Sequence, residues 1–77
     1  MKHTSYYYFE DIAGLRAVCH SPQEVQSYLR DHGSWPSGSY DVRVAPSLLA
    51  MLESSGVRWG VATKKPNGSV EIAQEPA

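Results

Sequence analysis

The chain reads as an α+β domain. The expected form is a two-layer sandwich: a mostly antiparallel sheet of about five strands, with two short helices on one face. Three stretches carry that expectation. Val57 to Ala73, VRWGVATKKPNGSVEIA, alternates apolar and polar residues on both sides of Pro66-Asn67-Gly68, the pattern of a hairpin. Ser5 to Glu10, SYYYFE, is an aromatic run that favours a strand. Ser21-Pro22-Gln23-Glu24 is a helix start, with Ser21 as cap, Pro22 at the first helical position and Glu24 placed to close a capping box.

Taken in order, residues 1–4 form a polar leader expected to fray. In the tyrosine run, Tyr7 and Phe9 share one strand face and Tyr6 and Tyr8 the other. Asp11 to Gly14 has turn chemistry. Leu15 to His20 then alternates, with Leu15, Ala17 and Cys19 on one side, and is read as a second strand. A helix from Asp11 is the rival, because Ile12, Leu15 and Cys19 also fit helical spacing. The first helix buries Val25, Tyr28 and Leu29, carries Arg30 and His32 in its last turn, and has Gly33 as its C′ residue.

Ser34 to Gly38 is a loop in which Trp35 is either a lid over the core or a contact residue. Ser39 to Val44 is a third strand with Tyr40, Val42 and Val44 inward. A second helix runs from Pro46 or Ser47 to Ser55 with Leu48, Leu49, Met51 and Leu52, and ends at Gly56 as C′ residue. The order is β-β-α-β-α-β-β, one domain over 1–77, with 74–77 as a polar tail. For the last hairpin an even loop is preferred, with Asn67-Gly68 as a type I′ turn. That register sets Val70 and Ile72 beside Trp59 and Val61; a three-residue loop would set them beside Arg58 and Lys64.

Composition narrows the function classes. At 77 residues the chain buries only about 60–65% of its unfolded surface, which leaves little core for a deep cleft. Charged residues make up 19% and the net charge is −1, so no basic field draws nucleic acid or membrane. One cysteine, Cys19, excludes an internal disulfide and fits a reducing cytoplasm. No apolar run is long enough to cross a membrane or direct secretion.

Catalytic groupings are sparse. Cys19 and His20 point to opposite faces of a strand, so they form no nucleophile–base pair. The single cysteine and His3, His20 and His32 lack metal-site spacing. Acid–base work needs paired carboxylates; Glu10-Asp11 is the only adjacent pair, and it sits at a turn. No Gly-rich phosphate loop is present, and no cofactor is expected.

Two binding classes remain. Trp and Tyr with nearby Arg are the residue types of protein–protein hot spots. Tyr6, Tyr8, Trp35, Tyr40, Arg43, Arg58 and Lys64 are the expected partner-binding residues. The expectation is a non-enzymatic protein that binds a larger protein, as a monomer or as a homodimer through an edge strand. The alternative is a single-stranded nucleic-acid binder, its aromatic sheet face rimmed by Arg16, Arg43, Arg58, Lys64 and Lys65. A Cys/His enzyme or toxin built on Cys19, His20 and His32 is third. In size and economy the chain resembles the small inhibitors carried by phages and mobile elements, anti-CRISPR proteins among them. That resemblance is one of general character and rests on no particular residues. It implies a protein that docks on a larger bacterial complex and blocks it.

Overall fold

The computed structural model describes residues 5–11 and 13–75. The elements are β1 (Tyr6–Glu10), β2 (Arg16–Cys19), α1 (Pro22–Asp31), β3 (Gly38–Ala45), α2 (Leu48–Leu52), β4 (Val57–Lys64) and β5 (Val70–Gln74). All strand pairs are antiparallel, in the order β2-β1-β3-β4-β5. The expected α+β class and element order are found. Among the described residues no helix is long and apolar enough to cross a membrane.

The first hairpin closes through Asp11. Its Oδ1 accepts the Ala13 and Leu15 N–H groups at 2.9 and 2.8 Å, and Gly14 sits at φ +85°. Residues 16–19 are therefore strand, not helix; Ile12, on which the helical alternative relied, lies outside the described residues. Ala17 and Cys19 are buried, whereas Leu15, expected on the same strand face, is exposed. α1 begins as its sequence signals. Ser21 Oγ accepts the Glu24 N–H at 3.1 Å. Glu24 reaches back one residue further than a standard capping box and accepts the His20 N–H at 3.2 Å. Its partner helps close the β2 edge. On the opposite edge, Gln26 donates to the Val70 carbonyl at 2.7 Å. Edge strand β5, and the residue that follows edge strand β2, thus each have a backbone group capped by an α1 side chain.

The main core lies between α1 and one sheet face. Phe9, Val25, Leu29, Trp35, Tyr40, Val42, Ala62 and Val70 form it. Trp35 is the lid, and its ring lies edge-on to Phe9 and Tyr40 at centroid distances of 5.1 and 5.6 Å. The chain leaves α1 without the left-handed glycine expected at Gly33: His32 is extended, with φ −106°.

The last hairpin corrects the expected register. Ala62 pairs with Ile72 and Lys64 with Val70. Lys65 N–H bonds Ser69 O at 2.8 Å and Gly68 N–H bonds Lys65 O at 2.9 Å, with Gly68 at φ +92°. This is the three-residue loop with a left-handed third residue, not the type I′ turn. Two causes act together. Proline's fixed φ suits the first central position of a type I turn, and type I′ has no place for it there. The pairing of β3 with β4 also shifts between Val42 and Arg43, leaving Trp59 as an extra residue. That bulge turns Trp59 to the core face, edge-on to Tyr7 at 5.9 Å, along with Gly60, Ala62 and Lys64. Val61 and Thr63 face the other way. β5 also runs on through Gln74, and Glu75 N–H donates to Trp59 O at 2.9 Å, so residues 74 and 75 are not the free tail expected.

The second correction concerns α2. It does not share the α1 face. Tyr6 and Tyr8 point away from α1, and α2 covers them there through Met51 and Ala50, with Ala45 beneath. The expectation of two helices on one face fails because Tyr8 is too large to leave uncovered. The helix is also shorter than expected, and Ser54 rather than Gly56 takes the left-handed position at its end, with φ +57°. Gly56 has a different role: its N–H donates to the Tyr8 hydroxyl at 3.1 Å, and a side chain there would strike that ring.

Gly60 is the position the sheet spares least. A methyl group on it would collide with the Ala73 carbonyl oxygen and the Gln74 backbone, neither of which can move without opening the β4–β5 ladder. Gly60→Ala is expected to cost about 1–3 kcal/mol or more by urea unfolding. Gly33→Ala, where the space is open, is expected to change stability by less than about 0.5 kcal/mol.

Candidate functional site

The sheet face away from α1 is half covered. α2 lies over β1 and β3 at one end, and the rest is open. One guanidinium joins the two halves. Arg16 donates to Met51 O at 2.8 Å and to Ser54 Oγ at 2.9 Å, pairs with Glu10, and lies 5.2 Å from the Tyr8 ring centre. Met51 O, in the last turn of the helix, also accepts the Ser54 N–H at 3.1 Å, so Arg16 takes up the second acceptor position of that carbonyl. The clamp therefore fixes α2 by its end.

Clamped in this way, α2 presents its leucines outward. Leu48, Leu49 and Leu52 are 50, 64 and 64% exposed, while Met51 is buried. A five-residue helix that is apolar nearly all round cannot bury every side chain against one surface. These three side chains form a ridge.

Beside the ridge the sheet splits. β1 and β3 pair only where Tyr6, Tyr7 and Tyr8 meet Ala45, Val44 and Arg43. Beyond Tyr8, β1 continues with β2 while β3 continues with β4. A cleft of about 490 Å³ opens between them, lined by Tyr8, Glu10, Asp41, Arg43 and Ser54 among others. Asp11 N–H bonds Leu15 O on the β2 side, so by antiparallel alternation Tyr8 and Glu10 turn their backbone groups toward β3. Arg43, opposite Tyr8, faces β1, and Asp41 two residues away does likewise. The cleft is therefore walled by main-chain donors and acceptors. Its charges are already engaged: Glu10 with Arg16, Asp41 with Arg58 at 3.3 Å, and Arg43 with Gly56 O at 3.2 Å. An extended main chain matches such walls.

The seven residues expected from sequence divide between the two faces. Tyr6, Tyr8, Arg43 and Arg58 lie on the α2 side. Of these, Tyr8 is buried under α2, Tyr6 is half-buried against His20, and the two arginines are exposed. Trp35, Tyr40 and Lys64 lie on the α1 side and are buried. Tyr8, Trp35, Tyr40 and Lys64 are buried as core or as cleft wall and do not stand on the open surface as expected. The aromatic stacking face needed for single-stranded nucleic acid is likewise not on the surface; Arg16 and α2 cover Tyr8. Sequence reasoning missed Arg16 as a clamp and the leucines as a ridge. The signal for the ridge was available in LLAML, which holds more apolar side chains than one short helix can hide.

Two titratable side chains, Cys19 and Tyr40, are packed into the core. Cys19 is 4% exposed, and burial, with a smaller contribution from the Glu24 charge, pushes its thiol up to about 11. The thiolate, which is the nucleophile, is thus disfavoured. Tyr40 donates to the Pro36 carbonyl; burial first and the Asp11 charge second raise the pKa of its hydroxyl. Searches of known protein families, of curated proteins and of solved structures find no match to this chain.

The Cys19 thiol gives a test of sign. Its folded value lies above the ordinary 9.0, so the folded state holds this proton more tightly than the unfolded state. That contribution is whole below the ordinary value and is lost as pH rises toward about 11. Stability against urea is expected to fall over that window, and to fall less in Cys19→Ala. A disulfide reagent at neutral pH is expected to label Cys19 only on unfolding.

Proposed function

We propose that the chain is a non-enzymatic protein-binding domain that docks on a larger protein through α2 and the cleft beside it, as small blocking inhibitors do. The supporting observation is the leucine ridge. Three large aliphatic side chains at half to two-thirds exposure, side by side on one clamped helix, form the kind of patch that marks an interaction surface. Burying each one in a partner contributes roughly 1.5–3 kcal/mol. Arg43, exposed on the far wall of the cleft, adds the residue type most often found in hot spots.

A protein partner suits this face better than a nucleic acid. Glu10, Asp41, Glu71 and Glu75 stand on it beside Arg43 and Arg58, so it carries no basic field to attract phosphates. The buried free thiol is compatible with action in a reducing cytoplasm.

The test is affinity capture from a bacterial lysate by three tagged forms of the chain: unaltered, Leu49→Asp with Leu52→Asp, and Leu15→Asp. Leu15 is as exposed as the ridge but lies in the β1–β2 turn, so its change is the matched control. All three are expected to melt alike, because the altered side chains are on the surface. A protein held by the unaltered chain and by Leu15→Asp, and lost by the ridge variant, is the expected result. Capture that survives the ridge changes, or no capture at all, would overturn the reading.

A further inference from the structure

The register of the last hairpin puts a lysine where a side chain of core type would be expected. Lys64 stands on the α1 face of β4 and is 7% exposed, the only buried charged residue among those described. Its Nζ donates to His32 O at 3.1 Å. No carboxylate lies within ion-pairing distance of it among the described residues. The α1 C-terminus offers about half a negative charge, and one carbonyl satisfies one of three ammonium donors. A buried cation with that little compensation is costly.

Lys64 lines a cleft of about 350 Å³ between the α1–β3 loop and the β4–β5 turn. Arg30 and Lys65 line it too, with Ser37, Asn67 and Gly68, and no acidic residue does. The partners of the two outer cations are surface ones. Arg30 bonds Asp31 at 3.2 Å with both side chains more than half exposed, and Lys65 pairs with an exposed Glu71. Exposed pairs of this kind contribute about 0–1 kcal/mol, so either cation can exchange its carboxylate for a better anion. The cleft thus gathers three cations, from α1, β4 and the turn after β4, with the buried one at its wall.

We propose that this cleft is a binding site for a phosphate-type dianion. Lys64 would supply the desolvated charge, where an ion pair is strongest, and Arg30 the planar fork that fits two oxygens of one phosphoryl group. Lys65 would close the site from the turn. The cleft opens away from α2, and of its cations only Lys65, through Glu71, reaches the proposed docking face. The phosphoryl group can belong to free phosphate or to a phosphomonoester; the chemistry of the site is common to both.

The experiment is an amide NMR titration of the full chain with inorganic phosphate at constant ionic strength, with chloride and acetate as controls and glycerol phosphate as the ester. Saturable shifts confined to residues around 30–37 and 64–69 are expected with phosphate and not with chloride. Tighter binding of glycerol phosphate than of phosphate would identify an ester as the natural form, and the reverse would identify the free ion. Lys64→Met keeps the stem and removes the charge, and is expected to abolish the shifts. Should that variant fail to fold, Arg30→Gln with Lys65→Gln, both on the surface, is expected to weaken phosphate binding about tenfold while the melt is unchanged. No saturable shift in the unaltered chain would overturn the proposal. So would equal response to chloride, or undiminished binding in the folded variants.

Discussion

The position of α2 depends on the guanidinium of Arg16. A five-residue helix has no stability of its own, because nucleation costs more than so few hydrogen bonds return. Met51 alone is a small anchor. Arg16 adds two bonds to the end of the helix, stacks over the tyrosine that α2 covers, and is itself aimed by Glu10. Bonds from a charged donor contribute about 1.5–3 kcal/mol each when sheltered, and this side chain is only a quarter exposed. The consequence reaches the surface. With its end clamped and Met51 turned inward, α2 has no orientation that hides Leu48, Leu49 and Leu52.

β1 sets the demand that α2 meets. Its residues are large on both sides, so the sheet needs cover on both faces. α1 and Trp35 supply it on one. Phe9 is the centre there, edge-on to Tyr28, Trp35 and Tyr40 at 5.9, 5.1 and 5.9 Å. These contacts hold the loop after α1 against the core and so shape the cleft in which Lys64 sits. On the other face α2 covers Tyr8 and stops, and the divergence of β1 from β3 leaves the neighbouring space open. One aromatic strand thus accounts for the core, the ridge and the split.

Much of this was legible in the sequence. Ser21, Pro22 and Glu24 marked the start of α1, and the alternation of Tyr6 to Phe9 divided the tyrosines correctly between faces. The element order followed from turn residues and apolar periods. Three features were not legible, for physical reasons. The bulge at Trp59 reverses the face of every later residue in β4, and no local signal announces a bulge. The loop was misjudged because Asn67-Gly68 was weighed above Pro66, whose φ decides the turn. The side taken by α2 depends on what Tyr8 needs, a tertiary matter that periodicity does not contain. The candidate site moved for the same reasons: the interior took in Tyr8, Trp35, Tyr40 and Lys64, and the residues exposed beside Arg43 and Arg58 include plain leucines.

The account is tested most directly at Arg16. In Arg16→Met the stem can still lie on Tyr8, but the charge and its donors are gone. Hydrogen exchange of the Met51, Glu53 and Ser55 amides, which bond Ser47, Leu49 and Ala50 carbonyls, reports whether α2 stays seated. Those amides are expected to exchange about tenfold faster or more, while the Val25 and His32 amides of α1 keep their rates. Unchanged exchange in α2, or an equal acceleration throughout the molecule, would contradict the claim that this one side chain holds the helix and presents its leucines.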